Sequence, residues 1–516
     1  MNKAFPLSEK TRCGSLRFYG CEAAELFTKE VGESLAGVLR KSITYDGGSG
    51  VRGFISASVD GRVCSDSMWS RDVGVFLREL ANYGYLEHAC LILDANFSLV
   101  GKNSEGYFAF PTLFYRGQKL SGSEVDGTGA MVIGMTEMWK RLPESNETRK
   151  RIYDFLTRPD SPLFYFEKKL KTSPLIPGTG EFGAGCDVNT SSEVYNVVQN
   201  NLARLALLSG AKMAAEAGDF SLSARFTGVA DMLEENILKY FVDDDGTWMW
   251  CIVSDTMKQK PEIQFARTNV GFGGINGVGA MCSDVLGFEA LTNGWRGSEV
   301  CRRTFFKLHE NPVRKPTFDK YGMWVQFEVD HEGLLTSPSY GQGYAIQSMF
   351  LMNEMDLAEK AIAYLADATY RKPPFYKLDR ESDYYFYERY YSPEAYGVTE
   401  IEQGCGALNL VNVGEPMKVA RLCAGIDNSD RRTLKLIPRL PRSWSGFDAL
   451  DWLVVTEKGL VRADISCKRT RETLSFSVKV KDGGTISRLE LVAWDDKGVR
   501  RSRVFENVTE IESETV

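Results

Sequence analysis

The feature that most constrains this 516-residue chain is a pattern that recurs over about its first 430 residues. A loop rich in glycine and aromatic residues places an acidic residue near the start of an apolar helix, and a short turn leads to a second helix. Copies begin near Trp69, Glu124, Gly178, Ser337 and Glu402. Their spacing varies, which argues against a regular solenoid. The pattern predicts a mainly α fold, an (α/α)6 toroid of six helical hairpins whose loops line one mouth.

The composition changes after about residue 431. Short runs rich in β-branched and aromatic residues alternate with turn signals such as KDGG and DDKG. About 80 residues of this kind predict a small C-terminal antiparallel β-sandwich. The expected organisation is therefore a toroid catalytic domain at 1–430 and a β-sandwich domain at 431–516 that covers one side of it.

Charge and hydropathy exclude several partners. The net charge is −7, from 62 Lys and Arg against 69 Asp and Glu without long runs, which argues against nucleic acid and anionic membranes. No stretch approaches the roughly 18 apolar residues of a membrane span. The N-terminal segment lacks the apolar core of a signal peptide. We expect a soluble, cytoplasmic protein with a small carbohydrate as its partner, on the grounds given below.

Cysteine and histidine usage argues against a metal centre. The eleven cysteines are scattered, odd in number and without a C-x-x-C pair, which indicates reduced thiols rather than a structural zinc site. The three histidines, His88, His309 and His331, are too far apart in sequence to suggest a metal cluster or a Ser-His-Asp triad. We predict neither a metal nor a cofactor.

Carboxylates in the predicted mouth loops point to sugar chemistry. Four stretches combine acidic residues with aromatic residues, glycine or arginine: Trp69–Asp72, Glu124–Asp126, Glu181–Asp187 and the segment around Glu388. In a toroid these loops converge on one pocket. Aromatic rings stack on the apolar faces of sugar rings, and paired carboxylates serve as the acid and base of glycoside hydrolysis.

The segment WSRDVGVFLREL resembles the Trp-x-Arg-Asp helix start of the glucoamylases and their six-hairpin relatives. The resemblance implies that Arg71 and Asp72 bind hydroxyl groups of the first sugar, with Trp69 beside them. A fixed Arg-Asp pair can both donate to and accept from neighbouring hydroxyls. The alternative is a structural salt bridge at a helix start. EVDGTGAMVIGM is similar to the segment that opens the next hairpin of these enzymes, which implies that Asp126 lines the pocket; a helix cap explains it nearly as well.

The segments ERYYSPEAYG and GCGALNLV resemble the region of glucoamylases and trehalases that carries the catalytic base. The resemblance implies that Glu388 is the base, and Glu402 is its rival. The acid remains open between two residues. Glu181 lies nine positions before Thr190, as in glucoamylases (190 − 181 = 9), whereas Asp187 matches in part the acid turn of trehalases and related α-glucosidases. Flanking glycines favour Asp187, although it could also cap a helix.

Tryptophans supply the expected stacking surfaces. Trp324, in YGMWVQFE, is the leading candidate to stack on a sugar, and Trp248 and Trp250 are further ones. A packing role in the core is the common alternative for each tryptophan.

The sequence predicts an inverting, exo-acting glycoside hydrolase that acts on a short saccharide or glycoside. Inversion places the two carboxyl groups roughly 6.5–9.5 Å apart. A sugar phosphorylase on the same scaffold is the alternative enzyme, and it would depend little on Glu388. A non-catalytic carbohydrate-binding protein is the alternative outside enzymes, and it would lack two opposed carboxylates.

Overall fold

The computed structural model of the chain describes most of the sequence. The described residues are 13–46, 50–58, 64–179, 193–258, 277–312, 314–322, 328–329, 335–370, 389–391, 408–471, 473–494 and 499–516. Every structural statement below concerns these residues.

Helices alternate between an outer and an inner layer along the chain. In chain order they are α1 (Glu22–Lys41), α2 (Ser70–Asn82), α3 (Leu86–Leu99), α4 (Val125–Arg141), α5 (Glu147–Thr157), α6 (Pro162–Leu170), α7 (Val197–Glu216), α8 (Phe220–Tyr240), α9 (Gly277–Leu286), α10 (Ser298–His309), α11 (Arg314–Tyr321), α12 (Ser339–Leu351), α13 (Met355–Tyr370) and α14 (Leu410–Ala424).

Six of these helices form a closed ring. Helix α2 packs on α4, α4 on α7, α7 on α9, α9 on α12, α12 on α14, and α14 packs back on α2. The outer helices cover this ring, with α8 on α7, α13 on α12, and α1 against α13 and α14. The predicted toroid of six helical hairpins is therefore confirmed.

The inner helices are buried on nearly every side, and local sequence fixes where they begin and end. All but one of the thirteen residues of α2 are buried or enclosed by its neighbours, including its charged ones. The side chain of Asn196 caps α7 by accepting the backbone N–H groups of Val198 and Gln199. Gly425 ends α14 in the left-handed conformation, at φ 69°, where glycine carries no steric penalty.

Short strands introduce the ring and longer ones follow it. The strands are β1 (Ser15–Tyr19), β2 (Ser67–Trp69), β3 (Leu113–Tyr115), β4 (Val194–Asn196), β5 (Cys251–Val253), β6 (Glu328–Val329), β7 (Leu335–Pro338), β8 (Arg389–Tyr391), β9 (Ile426–Asp430), β10 (Thr433–Leu436), β11 (Gly446–Thr456), β12 (Gly459–Thr470), β13 (Thr473–Val480), β14 (Ile486–Trp494), β15 (Arg500–Val508) and β16 (Glu510–Thr515).

Two sheets form the β-sandwich. One has the order β1-β11-β12-β13-β16 and the other the order β15-β14-β10-β9. All of their pairs are antiparallel except β10 with β14, which is parallel. Buried residues of the two sheets, such as Phe447 and Leu489, belong to the same apolar core as the ring. The predicted C-terminal β region is present.

The sandwich recruits residues outside 431–516. Strand β1 pairs with β11 in register from Ser15 with Leu450 to Tyr19 with Gly446, and β9 begins at Ile426. The boundary between 430 and 431 stays a prediction about domains, but the sheets themselves draw strands from both ends of the described chain.

Candidate active site

The first turns of the inner helices meet at one end of the ring. The first turn of α2 contacts that of α4 through Arg71 and Asp126, and Gln199 joins the first turn of α7 to the same Asp126. A β-carbon at Gly343 of α12 would lie 3.0 Å from that of Glu415 of α14. The helix starts therefore converge, as the sequence pattern predicts for the mouth of the toroid.

Arg71 lies between two carboxylates. Its Nη1 atom donates to Oδ2 of Asp126 at 3.1 Å, and its Nε atom is 3.8 Å from Oδ2 of Asp72. The Asp126 side chain is fully buried, whereas those of Arg71 and Asp72 are 12% and 6% exposed. Both carboxylates occupy the first turn of a helix, where the helix dipole stabilises negative charge. Sequence reasoning thus brought three residues together correctly, and their proposed contact with sugar stays a prediction.

Glycine allows the two helices to cross closely enough for this contact. A β-carbon at Gly74 of α2 would lie 2.3 Å from the carbonyl carbon of Ala130 in α4. One at Gly134 of α4 would lie 2.6 Å from the carbonyl oxygen of Gly74. Real β-carbons do not approach backbone so closely, so both positions require glycine for this packing.

A two-stranded ribbon fixes the entry into α2. Strand β2 pairs with β3, with Trp69 opposite Leu113. The half-buried indole of Trp69 donates to Oγ of Ser67 at 2.8 Å, and the Ser70 hydroxyl donates to the carbonyl of Pro111 at 2.6 Å. Trp69 is held in place directly before the Arg71–Asp72 pair.

Tyr344 of α12 lies beneath this group. Its side chain is buried, and burial, together with the Glu415 carboxylate, raises the pKa of its hydroxyl well above the usual value of 10. Arg71, Arg78 and Asp72 act on the same pKa, which places them in electrostatic range of the hydroxyl. Tyr344 therefore stays protonated across the physiological range.

The centre of the ring below Tyr344 is filled by buried ion pairs. Arg78 binds Asp284 at 3.0 Å and Glu415 at 3.1 Å, and Lys418 binds Asp284 at 2.6 Å. Arg421 binds Glu79 through two hydrogen bonds of 2.8 and 3.1 Å. Three cations thus face three carboxylates, which balances the charges that burial would otherwise penalise. The ring is closed beneath its mouth and forms no through-channel among the described residues.

A polar cavity of about 350 Å³ lies at the opposite end of the ring. Its lining includes Glu137 and Lys140 of α4 and Lys212 and Glu216 of α7, near the C-terminal ends of these helices. Lys212 donates to the carbonyl of Val285 at the end of α9, where cations are favoured. This cavity is remote from Arg71 and serves helix termini.

Several predicted residues lie outside the described residues: Glu388, Asp187, Glu181 and Trp324, with the rival base Glu402. Their roles stay predictions. Trp248, a further stacking candidate, is buried and its indole N–H points at Sγ of Cys301, 3.2 Å away. It is a core residue, and Trp250 is likewise buried.

Sequence reasoning missed Gln199 and Tyr344. Gln199 stands in an apolar run, NVVQNNLARLALL, where an amide looks like an ordinary surface residue of a helix. The one available signal was its position three residues after the capping Asn196, in the first turn of an inner helix.

Among the described residues there is no group of three or more His, Cys, Asp or Glu side chains that could hold a metal ion. The eight cysteines assessed there are free thiols. No helix in the described part of the chain is long and apolar enough to cross a membrane.

The closed ring of helical hairpins followed by a β-sandwich is a fold of the six-hairpin glycosidase type. No protein-family model matches the chain, and no curated protein matches it in sequence. Among solved structures, the rhamnosidase of Bacillus sp. GL1 has a TM-score of 0.58 at 13% identity and covers 93% of this chain and 42% of its own. The α-L-rhamnosidase from Aspergillus terreus has a TM-score of 0.58 at 10% identity, with 97% and 50% covered.

The glucoamylase from Saccharomycopsis fibuligera has a TM-score of 0.53 at 13% identity and covers 81% of this chain and 98% of its own. The chain thus spans half or less of the length of the rhamnosidases it resembles. At such identities the likeness establishes the fold, and the sequence-based prediction of that fold is confirmed.

Proposed function

We propose that the chain is a glycoside hydrolase that acts by inversion on the end of a short saccharide or glycoside. The observation that carries the proposal is the Arg71, Asp72 and Asp126 cluster at the mouth of a six-hairpin ring. A guanidinium held between carboxylates presents donors and acceptors together, which suits the vicinal hydroxyls of a sugar. Trp69 adds a ring surface beside them.

The roles of acid and base follow from the sequence. Asp187 or Glu181 gives a proton to the glycosidic oxygen as the bond to the anomeric carbon breaks. Glu388 takes a proton from the water molecule whose oxygen forms the new bond. Glu388 directly precedes β8, whose first residue, Arg389, pairs with Pro338 immediately before α12. The proposed base is thus covalently tied to a strand at the mouth.

Two features favour action at a chain end. The buried ion pairs around Arg78 and Lys418 close the ring below the mouth, so a substrate enters and leaves by one side. A blind pocket accepts the terminal unit of a saccharide more readily than its middle. No metal or cofactor is needed for acid–base hydrolysis.

The sandwich bears on which sugar to test first. Residues 426–516 make up 91 of 516 residues, more than the 3–7% of this chain that the rhamnosidases leave unmatched. The rhamnosidase structures therefore match most of the sandwich as well as the ring, whereas the glucoamylase leaves 19% unmatched. We infer that α-L-rhamnosides are the first substrates to test and α-D-glucosides the second.

The test is hydrolysis of a panel of aryl glycosides and disaccharides by the purified chain, with the anomer of the product followed by NMR. We expect release of the inverted anomer from one glycoside. Glu388→Gln should lower kcat by about 10³-fold or more, and Asp187→Asn or Glu181→Gln should do so for poor leaving groups.

Three results would count against the proposal. Full turnover in all three variants would exclude the assigned carboxylates. Formation of a sugar phosphate only when inorganic phosphate is added would indicate a phosphorylase. Sugar binding without turnover of any glycoside would indicate a carbohydrate-binding protein.

A further inference from the structure

Gln199 occupies a central place behind the candidate site. It lies in the first turn of α7, fully buried, and its Nε2 atom donates to Oδ1 of Asp126 at 3.1 Å and to the carbonyl of Thr179 at 2.7 Å. Its Oε1 atom accepts the backbone N–H of Thr179 at 3.3 Å. One amide therefore uses both donors and its acceptor at once.

Asp126 passes this constraint to Arg71. Its two carboxylate oxygens accept from different sides: Oδ1 from Gln199 and Oδ2 from Arg71 at 3.1 Å. The Asp126 side chain has no exposed surface, whereas that of Arg71 reaches the mouth. The contact order across three inner helices is therefore Gln199 on α7, Asp126 on α4 and Arg71 on α2.

Thr179 is held from a third direction. The backbone N–H of Val125, which begins α4, donates to Oγ1 of Thr179 at 3.0 Å. Gln199 thus ties the start of α7 to the segment that also contacts the start of α4. Since a charge-assisted bond fixes direction as well as distance, the orientation of Asp126 depends on this amide.

Resting on the proposed function, we propose that Gln199 is a positioning residue for sugar binding: it fixes Asp126, which in turn fixes the Arg71 guanidinium against the substrate hydroxyls. In this role Asp126 acts through Arg71 rather than by touching sugar. Loss of the Gln199 amide frees Asp126 to rotate, and Arg71 then binds sugar in a less ordered way. The proton-transfer groups keep their chemistry, so the loss falls on KM rather than on kcat.

The chain offers a matched control at the next position. Asn200 is also fully buried in the first turns of α7, and it holds the backbone of Ile176 by two hydrogen bonds, of 2.8 and 3.1 Å. It makes no printed contact with Asp126. Asn200→Leu therefore removes a similar clamp from the same helix while leaving Asp126 and Arg71 in place.

The experiment compares Gln199→Met with Asn200→Leu in the full chain. With the best glycoside of the panel, Gln199→Met should raise KM by roughly 10–100-fold, the usual effect of losing a hydrogen bond to a charged group, with kcat within about threefold. Asn200→Leu should lower the melting temperature without that rise. Equal KM values in Gln199→Met and wild type would overturn the inference.

A second measurement needs no substrate. Phenylglyoxal modification of Arg71, followed by peptide mass mapping, should be several-fold faster in Gln199→Met than in wild type and unchanged in Asn200→Leu. Equal rates in all three would overturn the inference. If wild type hydrolyses no glycoside, the proposed function fails, while the modification rates still decide whether Gln199 positions Arg71.

Asp126→Asn keeps the test available if Gln199→Met does not fold. It should give the same rise in KM and the same faster modification of Arg71. The double variant should be no worse than Asp126→Asn alone, because the two residues act in series. Fully additive losses would show that Gln199 acts independently of Asp126 and would contradict the proposal.

Discussion

Glu137, near the end of α4, is a carboxylate whose charge matters to the fold. It binds Lys140 at 3.1 Å and contacts the Arg141 guanidinium, whose other nitrogen donates to Asn82 at 2.6 Å. Burial alone raises the pKa of Glu137, but Lys140 and Arg141 outweigh it and hold the pKa at about 2. The group thus favours the folded state as long as it is ionised.

This depressed pKa predicts a defined loss of stability in acid. The stabilisation is complete above the unfolded pKa of about 4.5 and is lost as the pH falls from there toward 2. Two and a half pKa units correspond to at most roughly 3 kcal/mol. Urea unfolding at pH 7 and pH 3 should therefore show a smaller pH-dependent loss in Glu137→Gln than in wild type.

Glu235→Gln is the control, since its side chain is 69% exposed. It should show the wild-type loss between pH 7 and pH 3. Identical losses in Glu137→Gln and wild type would mean that the two cations do not depress this pKa.

At the scale of the element, the crossing of α2 and α4 depends on Gly74 and Gly134. Gly74→Ala places a methyl group 2.3 Å from the Ala130 backbone, and backbone cannot move aside as a flexible side chain can. We expect a loss of about 2–3 kcal/mol in the free energy of unfolding, measured by urea titration.

Gly32→Ala is the matched substitution in α1. Nothing lies within 4 Å of a β-carbon there, and the position is exposed in mid-helix. It should stabilise the chain by about 1 kcal/mol, because alanine has the higher helix propensity. A neutral Gly74→Ala variant would contradict the close crossing.

The helices themselves could be predicted from sequence because their apolar positions repeat at helical spacing. The predicted helix from 20 to 42 is α1 within two residues at its start, and the first-turn residues Arg71 and Asp72 were recognised before any geometry was known. The charged residues of the ring centre could not be placed in this way. Arg78 and Glu79 lie in a run, FLRELAN, that reads as the polar face of an amphipathic helix.

Their burial arises from the ring rather than from α2 itself. An inner helix has neighbours on all sides, so its polar face meets α9 and α14, as the Arg78 contacts with Asp284 and Glu415 show. The same reasoning explains why Gln199 was missed. Its partners, Asp126 and Thr179, lie 73 and 20 residues away, and no local pattern joins them.

At the scale of the whole molecule, ring and sandwich share one core. Phe18 of β1 lies 4.9 Å from the Trp444 ring and 6.2 Å from both Phe27 of α1 and Phe447 of β11, measured between ring centroids. Sequence could not predict this, because five residues, SLRFY, find their partner strand more than 400 residues later. Local propensity carries no information about so distant a pairing.

We expect a single cooperative transition in calorimetry. Phe18→Ala should lower its midpoint without splitting it, because the lost core contacts, worth roughly 3 kcal/mol or more, stabilise both parts together. Two transitions, of which Phe18→Ala moved only one, would show that ring and sandwich unfold independently.

The pairing of β1 with β11 also has a consequence for synthesis. Gly446, the residue opposite Tyr19, is added to the growing polypeptide 427 residues later (446 − 19). At about 5–20 residues per second the ribosome needs roughly 20–90 s to reach it. Throughout that interval the emerging Phe18 has no strand to join, so the nascent chain carries an apolar segment that a chaperone must shield or that must collapse for a time on something else.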